Sequence, residues 1–334
     1  MKENPDIKIL RDRDASLPLV LSSKIGVIGY GNQGRAQALN LSDTGVEVKV
    51  GLRDQSPSCE KVVSDGLQYD SISNVAAWAD IVVMLIPDDQ MRSVYTSDVE
   101  PAIKPNSTLI FSHGYSIHYG LVQPKTDITV LLCAPSGPGR VLRDRFLQGS
   151  GLPGLIAVHQ DPNKNGKALV LSYAKAIGMT RIGAVMSSFS EETETDLFGE
   201  QTVLTGGLPH LIRSSFRTLV DAGYQPVVAW LVSFYEVKMM VDLFTQTGFE
   251  KMDSLISSTA KFGGKTRGER LINENTRDEM RRILDEIKKG QFHMEYSNRV
   301  SKPSLITEKS DDVNKLFDQL TRQLLPIFVS NKDL

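Results

Sequence analysis

The sequence predicts an α/β Rossmann-type, doubly wound N-terminal domain followed by an all-α C-terminal domain. Three observations carry this. Apolar runs of strand length alternate with helical or polar stretches over residues 24–187. A glycine-rich turn joins the first of these runs to the first helical pattern. Beyond Ser187 the strand-like runs stop and helical patterns follow one another to the C-terminus. The expected domains are 1–187 and 188–334, which suits a chain of 334 residues at about 150 per domain.

The strand runs are 25–28, 46–50, 81–86, 109–111, 128–133 and 155–158, with helical stretches such as 33–41 and 163–177 between them. Short, nearly unbroken apolar runs suit strands buried on both faces of a helix-covered parallel sheet. In the second half the helical patterns are 191–204, 208–222, 227–244, 252–262, 276–289 and 311–325. Gly206-Gly207, Gly223, Gly248 and Gly263-Gly264 fall between them, where helix ends are expected. The run 230–240 is apolar around much of its circumference and calls for burial, in its own domain or against another subunit.

Hydrophobic residues make up 40% and charged residues 23%, a globular balance. A net charge of −2 leaves no basic excess for nonspecific nucleic-acid binding. Two cysteines, Cys59 and Cys133, exclude a disulfide framework and a cysteine-rich zinc site. No apolar run approaches the roughly 20 residues that span a bilayer, and the first residues lack a signal-peptide core. The expectation is a cytoplasmic protein with neither membrane nor nucleic acid as partner.

Gly29-Tyr30-Gly31-Asn32-Gln33-Gly34 fits G-x-G-x-x-G between a strand and a helix, the context in which it binds a dinucleotide pyrophosphate. The second strand runs into Arg53-Asp54-Gln55-Ser56-Pro57-Ser58. A guanidinium with two hydroxyls suits a 2′-phosphate, which favours NADP; Asp54 keeps NAD as the alternative. His113 follows the strand that ends at Phe111, and Pro87-Asp88-Asp89-Gln90 follows the 81–86 run in the same way. Both lie where this fold binds ligands.

Asp196 and Glu200 lie four residues apart on one helical face, preceded by Glu191, Glu192 and Glu194. Periodicity leaves two readings, a solvated acidic face or an oxygen-ligand site for a divalent cation such as Mg²⁺. Glu236 interrupts an apolar run, so it is paired with a cation such as nearby Lys238 or bound to a metal.

Together these segments resemble ketol-acid reductoisomerases of the shorter class with a single helical domain. The resemblance covers about residues 14–292, through IGYGNQGRAQALNLSDTGVEVKVGLR, FSHGYSIHYG, GLPGLIAVHQD, EETETDLFGEQ, DAGYQP and VDL. It implies a reaction of branched-chain amino-acid synthesis: Mg²⁺-dependent alkyl migration in an acetohydroxy acid, then reduction by NADPH to a 2,3-dihydroxy acid. It implies Asp196, Glu200 and Glu236 as metal ligands, the last from a partner subunit. It also implies Glu236, Ser257 and His113 as active-site residues. Cofactor contacts are implied at Tyr30 to Gln33, Arg53, Ser56, Ser58, Asp88, Asp89, Gln90, Met91 and Gly139, beside the glycines Gly29, Gly31 and Gly34. A knotted helical domain and a homodimer or higher homo-oligomer are implied as well.

Three departures stand out. The family's APKGPGH reads Ala134-Pro135-Ser136-Gly137-Pro138-Gly139-Arg140 here, so Ser136 replaces a lysine and Arg140 a histidine. Val232, four residues before Glu236, stands where the family places another metal-binding glutamate. An active reductoisomerase, a divergent 2-keto acid reductase and a silent NADP-binding subunit are the readings these departures leave.

Overall fold

The structure, a computed structural model, describes residues 8–300 and 311–329. It divides into two compact units, the division falling after Thr195, inside the helix Phe189–Gly199. The first turns of that helix belong to the N-terminal unit, where Glu192 is buried and accepts a hydrogen bond from the Gly114 N–H.

The N-terminal unit is built on an eight-stranded sheet: β1 (Lys24–Ile28), β2 (Glu47–Leu52), β3 (Gln68–Ser71), β4 (Ile81–Met84), β5 (Thr108–Phe111), β6 (Thr129–Pro135), β7 (Gly154–Gln160) and β8 (Ala184–Met186). Their order is β3-β2-β1-β4-β5-β6-β7-β8. The pairs from β3 through β6 are parallel, as expected, and so is β7 with β8; β7 runs antiparallel to β6. The short helix Gly139–Leu147 returns the chain to the edge where β6 ended, so Gly154 pairs with Pro135. Two apolar layers cover the sheet, one around Ile25, Val27 and Ile110, the other around Ile28, Val82 and Leu109. Strand order reverses between β1 and β4, which opens the ligand crevice of a doubly wound sheet at their carboxyl ends. At the far edge, Leu10 exchanges two backbone hydrogen bonds with Ala184 of β8, at 2.9 and 2.8 Å.

The C-terminal unit is helical among the described residues. Its core joins Ile212 and Phe216 of helix Gly207–Asp221, Ala229 and Trp230 of Pro226–Trp230, and Phe317 and Leu320 of Asp312–Phe328. One expectation is corrected. Gly263-Gly264 lies inside helix Ser258–Leu271, which Ser257 caps by accepting from the Ala260 N–H at 3.1 Å. The 230–240 run is only half buried in this chain: Trp230 is enclosed, whereas Val232 and Met239 are 47% and 43% exposed. Gly248, with φ of 76°, breaks the helix Glu236–Met252. No helix among the described residues is long and apolar enough to cross a membrane.

Candidate active site

At the carboxyl end of β1 each glycine of the turn answers a different demand. Gly29 has φ of 96°, and a Cβ there would lie 2.5 Å from the Leu85 carbonyl oxygen. A Cβ on Gly34 would lie 2.4 Å from the Gly29 oxygen, so helix Asn32–Asp43 packs directly on the turn. A Cβ on Gly31 would meet nothing within 4 Å. That open position stands before a helix N-terminus with no side-chain cap, where backbone N–H groups remain for phosphate oxygens. These residues fit a dinucleotide.

Other expected contacts divide into those that face the crevice and those that build it. The Tyr30 ring is buried, and its hydroxyl donates to Asp65 Oδ2 at 2.9 Å. Its phenol is pushed well above the ordinary range by burial and by Asp65. Arg35 holds Asp65 in a two-point ion pair, Nε to Oδ2 at 2.6 Å and Nη2 to Oδ1 at 2.7 Å. Asn32 Oδ1 accepts from the Arg140 N–H at 3.1 Å, and Gln33 Nε2 donates to the Gly137 oxygen at 2.9 Å. A Cβ on Gly139 would lie 2.1 Å from the Asn32 oxygen, so Asn32, Gln33 and Gly139 clamp one loop on the other. Met91 is buried in the core, with 4% of its surface exposed.

After β2, Arg53, Asp54, Gln55 and Ser56 line an open pocket with Tyr69 and Asp70 from the end of β3. Arg53 is exposed and makes no ion pair among the described residues. Ser58 lies outside the pocket lining and precedes helix Cys59–Ser64. Tyr69 and Asp70 escaped the sequence reading because Gln68-Tyr69-Asp70-Ser71 is too polar to announce a strand.

At the end of β4, helix Asp88–Val94 begins with Asp88, Asp89 and Gln90. Asp88 Oδ2 lies 3.6 Å from His113 Nδ1, and the His113 ring stacks on Tyr115 with centroids 5.9 Å apart. The next residue, Gly114, donates its N–H to Glu192 Oε2 at 2.6 Å; a Cβ there would come within 2.5 Å of Thr193 Oγ1. Glu192 therefore fixes the His113 loop, a role hidden in the sequence by the acids around it. Nearby, His118 is pushed below its ordinary value by burial, against the opposing charge of Glu194 at 3.8 Å.

In the C-terminal unit Asp196 and Glu200 are exposed, and Glu200 opens a π-helical segment, Glu200–Leu204. Its carbonyl accepts from both Thr205 and Gly206 N–H groups at 2.9 Å. A second π segment, Leu231–Tyr235, leads directly into Glu236, also exposed. Lys238 pairs with Asp242 at 2.7 Å. No three metal-capable side chains converge among the described residues of this single chain. The donor set is right for a hard cation, oxygen only, but Asp196, Glu200 and Glu236 are not brought together within one chain.

The family described as "Acetohydroxy acid isomeroreductase, NADPH-binding domain" matches residues 19–183, and "Ketol-acid reductoisomerase, C-terminal domain" matches 189–326. The chain is 47% identical over 281 residues to a ketol-acid reductoisomerase (NADP(+)) of Mycobacterium ulcerans (strain Agy99), covering 84% of each chain. It is 46% identical over 286 residues to the same-named protein of Mycobacterium sp. (strain KMS), covering 86% of this chain and 85% of that one. The solved structure of an NADH-preferring ketol-acid reductoisomerase from an uncultured archean superposes with a TM-score of 0.90 at 34% identity, covering 97% of this chain and 100% of that one.

Proposed function

The chain belongs to the ketol-acid reductoisomerase family, and from that premise we propose that it converts acetohydroxy acids to 2,3-dihydroxy acids using Mg²⁺ and NADPH. The observation that carries the reading is the three-way division of labour among the glycines, which leaves the space over Gly31 open while Gly29 and Gly34 are packed shut. When bound, Mg²⁺ supplies Lewis-acid polarisation for alkyl migration, and NADPH supplies the hydride.

The chain's own residues do the rest. The uncapped start of helix Asn32–Asp43 receives the pyrophosphate, and Arg53 with Ser56 meets the 2′-phosphate. Asp196 and Glu200 hold metal from one subunit and Glu236 from its partner, and the exposure of all three suits a site completed by a second copy. Ser257, at a helix start, orients the substrate through its hydroxyl. Asp88 beside Nδ1 and the stacked Tyr115 ring set the orientation in which His113 exchanges a proton.

A second reading rests on Val232, which puts an apolar side chain, 47% exposed, four residues before Glu236. With one carboxylate fewer, alkyl migration suffers more than reduction. The test is an assay of purified protein with Mg²⁺ and NADPH on 2-acetolactate and on a 3-hydroxy-2-keto acid. Turnover of both supports the reductoisomerase. Turnover of the keto acid alone selects the reductase, and turnover of neither overturns both.

A further inference from the structure

Helix Asn32–Asp43 carries two fully buried amides, Gln37 and Asn40, and they serve different ends. Asn40 ties the helix to its own domain: Nδ2 donates to the Ile177 oxygen at 3.0 Å, and Oδ1 accepts from Arg143 at 2.9 Å. Gln37 sits at the centre of a chain that reaches the crevice. Its Oε1 accepts from the Tyr173 hydroxyl at 2.7 Å. Its Nε2 donates to Ser112 Oγ at 2.9 Å and to Gln33 Oε1 at 3.1 Å. The Ser112 hydroxyl donates to the Cys133 oxygen at 2.9 Å, and Gln33 Nε2 donates onward to the Gly137 oxygen at 2.9 Å.

We infer that Gln37 is a positioning residue for cofactor binding and hydride transfer, holding the loop that carries His113 and the loop that carries Gly139 at a fixed distance from the pyrophosphate turn. The inference rests on the functional reading above. Both amide protons and the amide oxygen of Gln37 have partners, so its orientation is set. Turning the amide over would place its oxygen against Gln33 Oε1, and a compensating turn of Gln33 would release Gly137. Buried polar chains of this kind are costly unless every member is satisfied, and this one is satisfied through the two loops that face the crevice. Ser112 is the residue before His113, so its anchorage is the nearest side-chain constraint on where that loop begins.

The test compares Gln37→Met, which keeps the length and removes every polar atom, with Asn40→Ala as a structural comparator and Tyr173→Phe as a milder cut in the same chain. NADPH binding to the protein without substrate is followed by fluorescence titration, melting is recorded in parallel, and kcat and KM are measured for direct keto-acid reduction. For Gln37→Met we expect an NADPH Kd raised at least about fivefold and a lower kcat, with KM for the keto acid little changed; for Tyr173→Phe, a smaller shift in the same direction. Asn40→Ala should lower the melting temperature and leave the NADPH Kd unchanged. If Gln37→Met melts lower but binds NADPH as the wild type does, the network is structural and the inference falls. Should Gln37→Met fail to fold, an unchanged Kd in Tyr173→Phe overturns it. A wild-type protein that does not bind NADPH overturns the functional reading itself, and the positioning role with it.

Discussion

At the scale of single residues, the division between groups that face the crevice and groups that brace it decides what a substitution does. Arg53 is exposed in the pocket after β2 and has no ion-pair partner among the described residues, so its guanidinium is uncommitted. Arg53→Ala should raise the KM for NADPH about tenfold, the loss of one charge-assisted contact, and leave that for NADH nearly unchanged. Equal losses with both cofactors would show that Arg53 does not read the 2′-phosphate. Asp65 is the opposite case. Hydrogen bonding by Arg35 foremost, and by Tyr30, holds its carboxyl below the ordinary 3.8, against the opposing effect of burial. A depressed carboxyl stabilises the fold fully above pH 3.8 and loses that contribution as the pH falls through its lowered value. Asp65→Asn should therefore cost about 1–2 kcal/mol at neutral pH, with the difference from wild type in melting temperature closing below about pH 4. The glycine pattern was legible in the sequence because each glycine answers a local backbone demand. The Tyr30–Asp65–Arg35 clamp and the Gln37 chain were not, because their partners lie dozens of residues away and hydrogen bonding leaves no periodic trace.

At the scale of elements, what sequence reading found and what it missed follow burial. β1, β4 and β5 are enclosed on both faces and read as unbroken apolar runs; β3, at the sheet edge, reads Gln-Tyr-Asp-Ser and was invisible. Helix Ser258–Leu271 was misplaced because Gly263-Gly264 looked like a terminus, whereas the cap at Ser257 decides where it starts. The π segments were missed for another reason: an i→i+5 turn leaves no pattern distinct from an α-helix over five residues. Each adjoins an implied metal ligand, Glu200 opening one and Glu236 closing the other. The Glu236 N–H bonds to the Leu231 oxygen across the widened turn, so Val232 and Glu236 span slightly less than one turn and share a face. Val232→Glu should then lower the Mg²⁺ concentration that half-saturates acetolactate turnover several-fold and change direct keto-acid reduction less, because two adjacent cations need carboxylates to offset their repulsion. Identical Mg²⁺ curves before and after the substitution would mean that the site is completed by another group, or that two-metal chemistry has been lost.

At the scale of the whole molecule, the helical unit is the incomplete one. Helices Glu236–Met252 and Ser258–Leu271 bury no residue in this chain, and Phe249 and Phe262 are 69% and 65% exposed. Aromatic side chains left open to this extent are expected to be covered by a second copy, the same copy that would lend Glu236 to the metal site. Sedimentation should give a dimer down to nanomolar concentration, and mixing inactive Asp196→Asn with inactive Glu236→Gln protein should restore activity through hybrid sites. A fully active monomer would refute the shared site. The sheet of the other unit meets a different hazard at the edge where Leu10 lies along β8. A terminal strand with bare amides is a template on which further chains can stack, and the two hydrogen bonds exchanged between Leu10 and Ala184 occupy that template there. The stretch from Leu10 to Ala15 is held there by Lys175, which donates to the Asp12 and Ala15 oxygens, and by Thr180, which donates to Asp12. With that edge covered at Ala184, a variant trimmed past Leu10 is expected to lose solubility before it loses turnover, which a comparison of soluble yield and kcat would check.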